Sequence, residues 1–161
     1  MKMRLLLPAI VAIALTIAAA VSIARSGPVT AGDLLIIEAW ARATPPGVTV
    51  GAAYVTVENR GGADDALIAA TSPVAGSIEV HETIAEGDVA GMRRVEEFVV
   101  PAGASMAMAP GGAHLMLMQL SAPLREGARL PLTLVFERAG EVALDIEIAP
   151  LGAMSPSSGG S

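Results

Sequence analysis

The 161-residue sequence contains no cysteine. No disulfide can staple the fold, so a hydrophobic core has to stabilise it unaided. Any metal site must also work without thiolate, and it cannot be lost to disulfide formation. Aromatic residues are nearly as scarce. Trp40, Tyr54, Phe98 and Phe136 are the full set, and they read as packing residues rather than a binding platform. Basic side chains are in deficit, with 10 Lys and Arg against 16 Asp and Glu and a net charge of −6. Phosphate backbones would repel such a chain, which excludes nucleic acid as a partner. After residue 30 no window carries a convincing helical period, so a helical domain is excluded as well.

The one long apolar run lies at the start. Lys2 and Arg4 precede an uncharged stretch from Leu5 to Ala24, and Ser22 with Ala24 offers a small-residue cleavage point before Arg25. That is the plan of a signal peptide over residues 1–24. The run is also close to the roughly 20 residues a membrane span requires, so an uncleaved anchor is the rival. Either way the domain lies outside the cytoplasm. Without Lys2 and Arg4, eight basic side chains face sixteen acidic ones and the charge becomes −8.

Residues 25–33 read as a short linker, 34–150 as one domain, and 151–161, rich in Gly, Ser and Pro, as a flexible tail. Within the domain the hydrophobic period is near two and the segments are short. Leu34–Trp40, Ala52–Glu58, Ala66–Ala70, Ser77–Glu82, Met92–Val99, Ser105–Ala109, Ala113–Leu120, Pro131–Arg138 and Val142–Ile148 are the candidate strands. Pro45-Pro46-Gly47, Pro101-Ala102-Gly103 and Pro110-Gly111-Gly112 are among the turns between them, and Ala139-Gly140 marks a closing hairpin. Many short strands with Gly/Pro turns predict an all-β sandwich or barrel.

Chemistry concentrates between His81 and Met118. Both histidines lie there, with Met92, Met106, Met108, Met116 and Met118. Side chains alternate along a strand, so His114, Met116 and Met118 share one face and Leu115 and Leu117 the other. In Ser77–Glu82, His81 likewise faces away from Ile78 and Val80. Met92 is expected to open its strand after a loop over Ala85–Gly91. Four ligand-type side chains, His81, Met92, His114 and Met116, thus fall at strand ends, three of them opposite an apolar face. Imidazole and thioether without thiolate form a soft donor set that suits copper(I) better than zinc, calcium or magnesium. Blue-copper electron transfer normally requires a cysteine, which leaves a protein that holds copper(I) and passes it on.

Each residue has a plainer reading. Methionine commonly fills cores, and Met106 and Met108 are most simply core. Taken singly, Met92 and Met116 could be core and each histidine a surface residue, with Met118 undecided. Glu79 and Glu82 read as a solvated face, and Glu82 alternatively as a carboxylate orienting an imidazole. Two other functions stay open on the residues alone. One is an exported copper- or zinc-dependent enzyme using His81 and His114 with Glu82 and an open coordination position. The other is a structural sandwich in which Met and His are incidental. No constellation of nucleophile and base stands out, and the expectation is a protein that is not an enzyme.

The spacing His81-x10-Met92-x21-His114-x-Met116 resembles that of the PCuAC family of periplasmic copper chaperones. Ala39-Trp40-Ala41-Arg42, Gly51-Ala52-Ala53-Tyr54, Val100-Pro101-Ala102-Gly103, Pro110 to Met118 and Leu130 to Glu137 resemble the family too. The likeness runs from about Leu34 to Pro150. It implies a cupredoxin-like Greek-key β-sandwich, located in the periplasm, that binds one Cu(I) per chain through His81, Met92, His114 and Met116. It also implies delivery to the binuclear copper centre of cytochrome c oxidase subunit II, alongside or through Sco-type thiol proteins. Two departures stand out. No extra methionine follows His81, where Glu82, Thr83 and Ile84 stand, and the tail offers only Met154 toward a second site.

Overall fold

The computed structural model describes residues 27–156. The signal peptide or anchor expected over 1–24 lies outside them. Eleven strands form: β1 (Val29–Ala31), β2 (Leu34–Arg42), β3 (Gly51–Asn59), β4 (Asp65–Thr71), β5 (Ser77–Glu86), β6 (Val89–Val95), β7 (Phe98–Val100), β8 (Ser105–Ala107), β9 (His114–Met118), β10 (Arg129–Phe136) and β11 (Gly140–Ala149). No helix occurs among the described residues.

The strands run in the order β1-β2-β11-β10-β4-β5-β9-β3-β8, and β3 also pairs with β2, which joins the two sides of the sandwich. All pairs are antiparallel except β2–β11. Strands distant in sequence lie side by side, as in a Greek key: β11 beside β2, β4 beside β10, β9 between β5 and β3. The β4–β5 seam is thin, with the single pair Ala70↔Ile78.

The period of two places the core. Leu130, Leu132, Leu134 and Phe136 of β10 point inward and meet Val142, Leu144, Ile146 and Ile148 of β11. Across the sandwich Val80, Leu115 and Leu117 face them from β5 and β9, and Ala53, Val55 and Val57 from β3. Burying each such leucine contributes about 1.5–3 kcal/mol. A bulge between Ile36 and Glu38 leaves Ile37 turned to solvent. Beyond it Trp40 sits opposite Tyr54, and the rings lie 4.6 Å apart, both buried. The scarce aromatics are packing residues, as their isolation in the sequence suggested.

Three segments differ from the sequence expectation. The stretch 25–33 is not only a connector, since Val29–Ala31 pairs with Leu34–Ile36. Its alternation is too short to register as a strand without its partner. Met92–Val99 is two strands, because the chain leaves β5 at Val95 and joins β4 at Phe98. The start of the tail is tied down: Arg42 Nε donates to the Ala153 carbonyl at 2.7 Å and Arg42 Nη2 contacts the Met154 sulfur at 3.2 Å.

Candidate metal centre

The site grows out of one sheet face. β5 and β9 pair antiparallel with His81 directly opposite His114 and Glu79 opposite Met116. Residues opposite one another project to the same side, with Cβ atoms about 4.5–5.5 Å apart. The intervening Val80, Leu115 and Leu117 are buried in the core, so the histidine face is the outer one. The two imidazole centroids are 5.9 Å apart, tilted by 51°. Neither Met116 nor Met118 belongs to the core. Met108 is buried in it and Met106 packs at its edge.

Met92 arrives from β6, but not as expected. β5 continues to Glu86 and β6 begins at Val89, so residues 85–91 are mostly hairpin strand and not loop. A two-residue turn at Gly87-Asp88 reverses the chain, with Gly87 at φ +64°, a conformation suited to primed hairpin turns. Met92 therefore sits in mid-strand opposite Thr83, and Arg94 sits opposite His81. Met92, Arg94, Thr83, His81 and Glu79 all share the outer face. Met92 is a diagonal neighbour of His81, roughly 7–8 Å away between backbones and within reach of a long side chain. Its side chain is 63% exposed, whereas His114 is 7% exposed. The hairpin arm reads poorly in sequence because most of β6 faces solvent, so no apolar period marks it.

Each imidazole has one nitrogen occupied and one left over. His81 Nε2 lies 3.0 Å from a Glu79 carboxylate oxygen, which can only accept, so the proton of the neutral ring belongs on Nε2. His81 Nδ1 is buried and has no hydrogen-bond partner. His114 is the reverse: Nδ1 donates to the Gly112 carbonyl at 3.1 Å, leaving Nε2 with the lone pair. The same carbonyl accepts from the Thr83 hydroxyl at 3.2 Å. A buried imidazole nitrogen without a partner is costly, and its bare lone pair is the form in which an imidazole binds a metal ion. This donor set fits copper(I): two neutral nitrogens, a thioether beside them, and a second thioether on the adjoining strand.

Glu82 does not orient an imidazole. It lies one residue from His81 and therefore on the opposite face, where it meets Arg93 at 3.3 Å. The carboxylate that meets His81 is Glu79, two residues away in the chain and so on its side. The same parity argument, applied to Glu79, would have found it in the sequence. Glu79 also meets Arg94 at 3.4 Å. Among the described residues no group of three His, Asp or Glu side chains is arranged to hold an ion. The hard-metal alternative built on His81, His114 and Glu82 thus lacks its third ligand.

Solved structures of the same architecture place the chain in a class. It is similar to the apo PCuAC domain of PmoF2, with 33% identity, a TM-score of 0.68, and coverage of 80% of this chain and 98% of that one. It is also similar to the copper-bound PCuAC domain from PmoF2, at 32% identity and a TM-score of 0.68 over 76% of this chain and 97% of that one. The solution structure of CuI-DR1885 from Deinococcus radiodurans matches at 30% identity with a TM-score of 0.57, over 69% and 74% of the two chains. The fold is the β-sandwich of PCuAC domains. The chain belongs to the family described as "Putative lipoprotein LpqE-like", whose model matches residues 34–148. Among its relatives, "Putative lipoprotein Lxx21020" of Leifsonia xyli subsp. xyli is 37% identical over 107 residues, 66% of this chain and 63% of that protein. The chain spans just under two thirds of the length of the curated relatives it matches.

Proposed function

We propose that this protein is an extracytoplasmic copper(I) metallochaperone. His81 through Nδ1, His114 through Nε2, and the sulfurs of Met116 and Met92 hold one Cu(I) per chain. The observation that carries the reading is the cross-strand pair His81–His114 on the outer face, with a buried, partnerless His81 Nδ1 and Met116 beside it. The likeness to copper-bound PCuAC domains supports it.

The chemistry of holding and release follows from the donors. Two imidazoles and two thioethers add no charge, so the bound ion remains a monocation, and no hard anionic ligand favours copper(II). An acceptor that presents thiolates, such as a Sco-type protein or the binuclear copper centre of cytochrome c oxidase subunit II, offers anionic sulfur and draws the ion away. The exposed Met92 is the ligand best placed to let go first. Location outside the cytoplasm, in the periplasm, accords with family members named as lipoproteins.

Titration of the apo protein with Cu(I) against a chromophoric chelator tests the reading. One equivalent should bind, and His114→Ala and Met116→Ala should each weaken it strongly. Unchanged affinity in both variants would sink the assignment. X-ray absorption of the loaded protein should count two nitrogen and two sulfur ligands.

A further inference from the structure

We propose that Glu79 is a positioning residue for the metal site: it fixes the tautomer of His81, and Arg94 is the counter-ion that holds it in place. The inference rests on the copper reading above and adds to it how one ligand is kept ready. A surface ion pair alone would be the plain alternative, since exposed pairs contribute little.

Several observations favour the positioning role. Glu79 Oε2 contacts His81 Nε2 at 3.0 Å and Glu79 Oε1 contacts Arg94 Nη1 at 3.4 Å, so each carboxylate oxygen has its own partner. The side chains of Glu79 and His81 are largely shielded, at 25% and 15% exposure, while that of Arg94 is 58% exposed. The strand register enforces the arrangement, because Glu79 and His81 are i and i+2 on β5 and Arg94 lies opposite His81 on β6. The carboxylate has no proton to give, so the neutral His81 ring must carry its proton on Nε2 and turn the bare Nδ1 inward. That Nδ1 is the buried nitrogen without a partner. His114 is set the opposite way by a backbone carbonyl. The site therefore presents Nδ1 from one strand and Nε2 from the next, each fixed before any ion arrives. Carboxylate–imidazole–metal chains of this kind raise ligand basicity and remove the need to reorient the ring on binding. Arg94 cancels the carboxylate's charge, so the ion still sits in a site of no net charge. The pair also ties β6, the strand that carries Met92, to the histidine it must meet.

Long-range nitrogen NMR of the apo protein reads the tautomers without any metal. In the wild type His81 should be the Nε2–H form and His114 the Nδ1–H form. In Glu79→Leu, His81 should lose its single tautomer while His114 keeps its own, which also reports that the sheet is intact. Copper(I) affinity in that variant should fall about 10- to 100-fold. Glu79→Gln keeps an acceptor and should keep the tautomer with a smaller loss, and Arg94→Gln should behave likewise. Should Glu79→Leu fail to fold, Glu79→Ser carries the same expectation. The proposal is overturned by an Nδ1–H tautomer at His81 in the wild type, or by Glu79→Leu retaining both tautomer and affinity. It is equally overturned if, at copper saturation, the count of nitrogen and oxygen ligands together is three in the wild type and two in Glu79→Leu, which would make Glu79 a ligand. Failure of the copper reading itself looks different: the apo tautomers would stand as stated, yet no copper would be taken up.

Discussion

The two methionines proposed as copper ligands should not be equivalent. Met116 lies on the short strand β9, two residues from His114, and is partly buried on the outer face. Met92 projects from β6 with 63% of its surface exposed. An exposed methionine samples many rotamers, and fixing it on an ion costs up to about 1.5–2 kcal/mol of side-chain entropy. Met116, already confined between His114 and Met118, gives up less. If both sulfurs form similar bonds to copper(I), the net contribution of Met92 is smaller by roughly 1–1.5 kcal/mol, which is about tenfold in affinity. Competition titration of Met92→Ala and Met116→Ala with copper(I) should therefore find the Met116 variant the weaker binder by about that factor. X-ray absorption should show one sulfur lost in each. The reasoning about preorganisation fails if Met92→Ala binds as weakly as Met116→Ala, or more weakly.

Two further predictions concern the scaffold. Asp65 is buried and its carboxylate accepts from the backbone N–H groups of Ala66, Arg138 and Ala139 at 2.8, 2.9 and 3.0 Å. Asp65→Ala strands these donors, and urea unfolding should show a loss of about 3 kcal/mol, with copper stoichiometry unchanged; a loss under about 1 kcal/mol would mean that water replaces the carboxylate. Burial pushes the Tyr54 phenol above its usual value, an effect that nearby Arg42 partly offsets. The neutral form is thus favoured in the fold, and its contribution to stability is fully present below about pH 10, the unfolded value, and is lost as pH rises above that through the raised value of the folded protein. Unfolding midpoints should fall on the alkaline side in the wild type, and Tyr54→Phe should flatten that decline; equal slopes in both would place the cause elsewhere.

How much of this was legible in the sequence depends on where each residue's neighbours lie. The β10–β11 hairpin around Ala139-Gly140 was readable because apolar alternation and turn chemistry are local properties, and the pairing Phe136↔Gly140 follows them. The opposite faces of His114 and Leu115 were readable for the same reason. The β5–β6 arm was not, because β6 is exposed along most of its length and carries no apolar period, so the sequence alone puts Met92 after a loop. Glu79 could have been separated from Glu82 by parity alone. Its partnership with Arg94 could not, since that depends on which strand lies beside β5 and in what register.

By itself, then, the sequence determined the class of structure, the proposed soft donor set without thiolate, and the strand face of three of its members, His81, His114 and Met116. These are matters of composition and of the two-residue repeat. Only the tertiary structure decided that β9 lies against β5 with His81 opposite His114, that β6 swings Met92 and Arg94 onto the same face, and which nitrogen of each imidazole is left free. Strand order and register join residues far apart in the chain, and the hydrogen bonds that fix a tautomer exist only once those strands have paired.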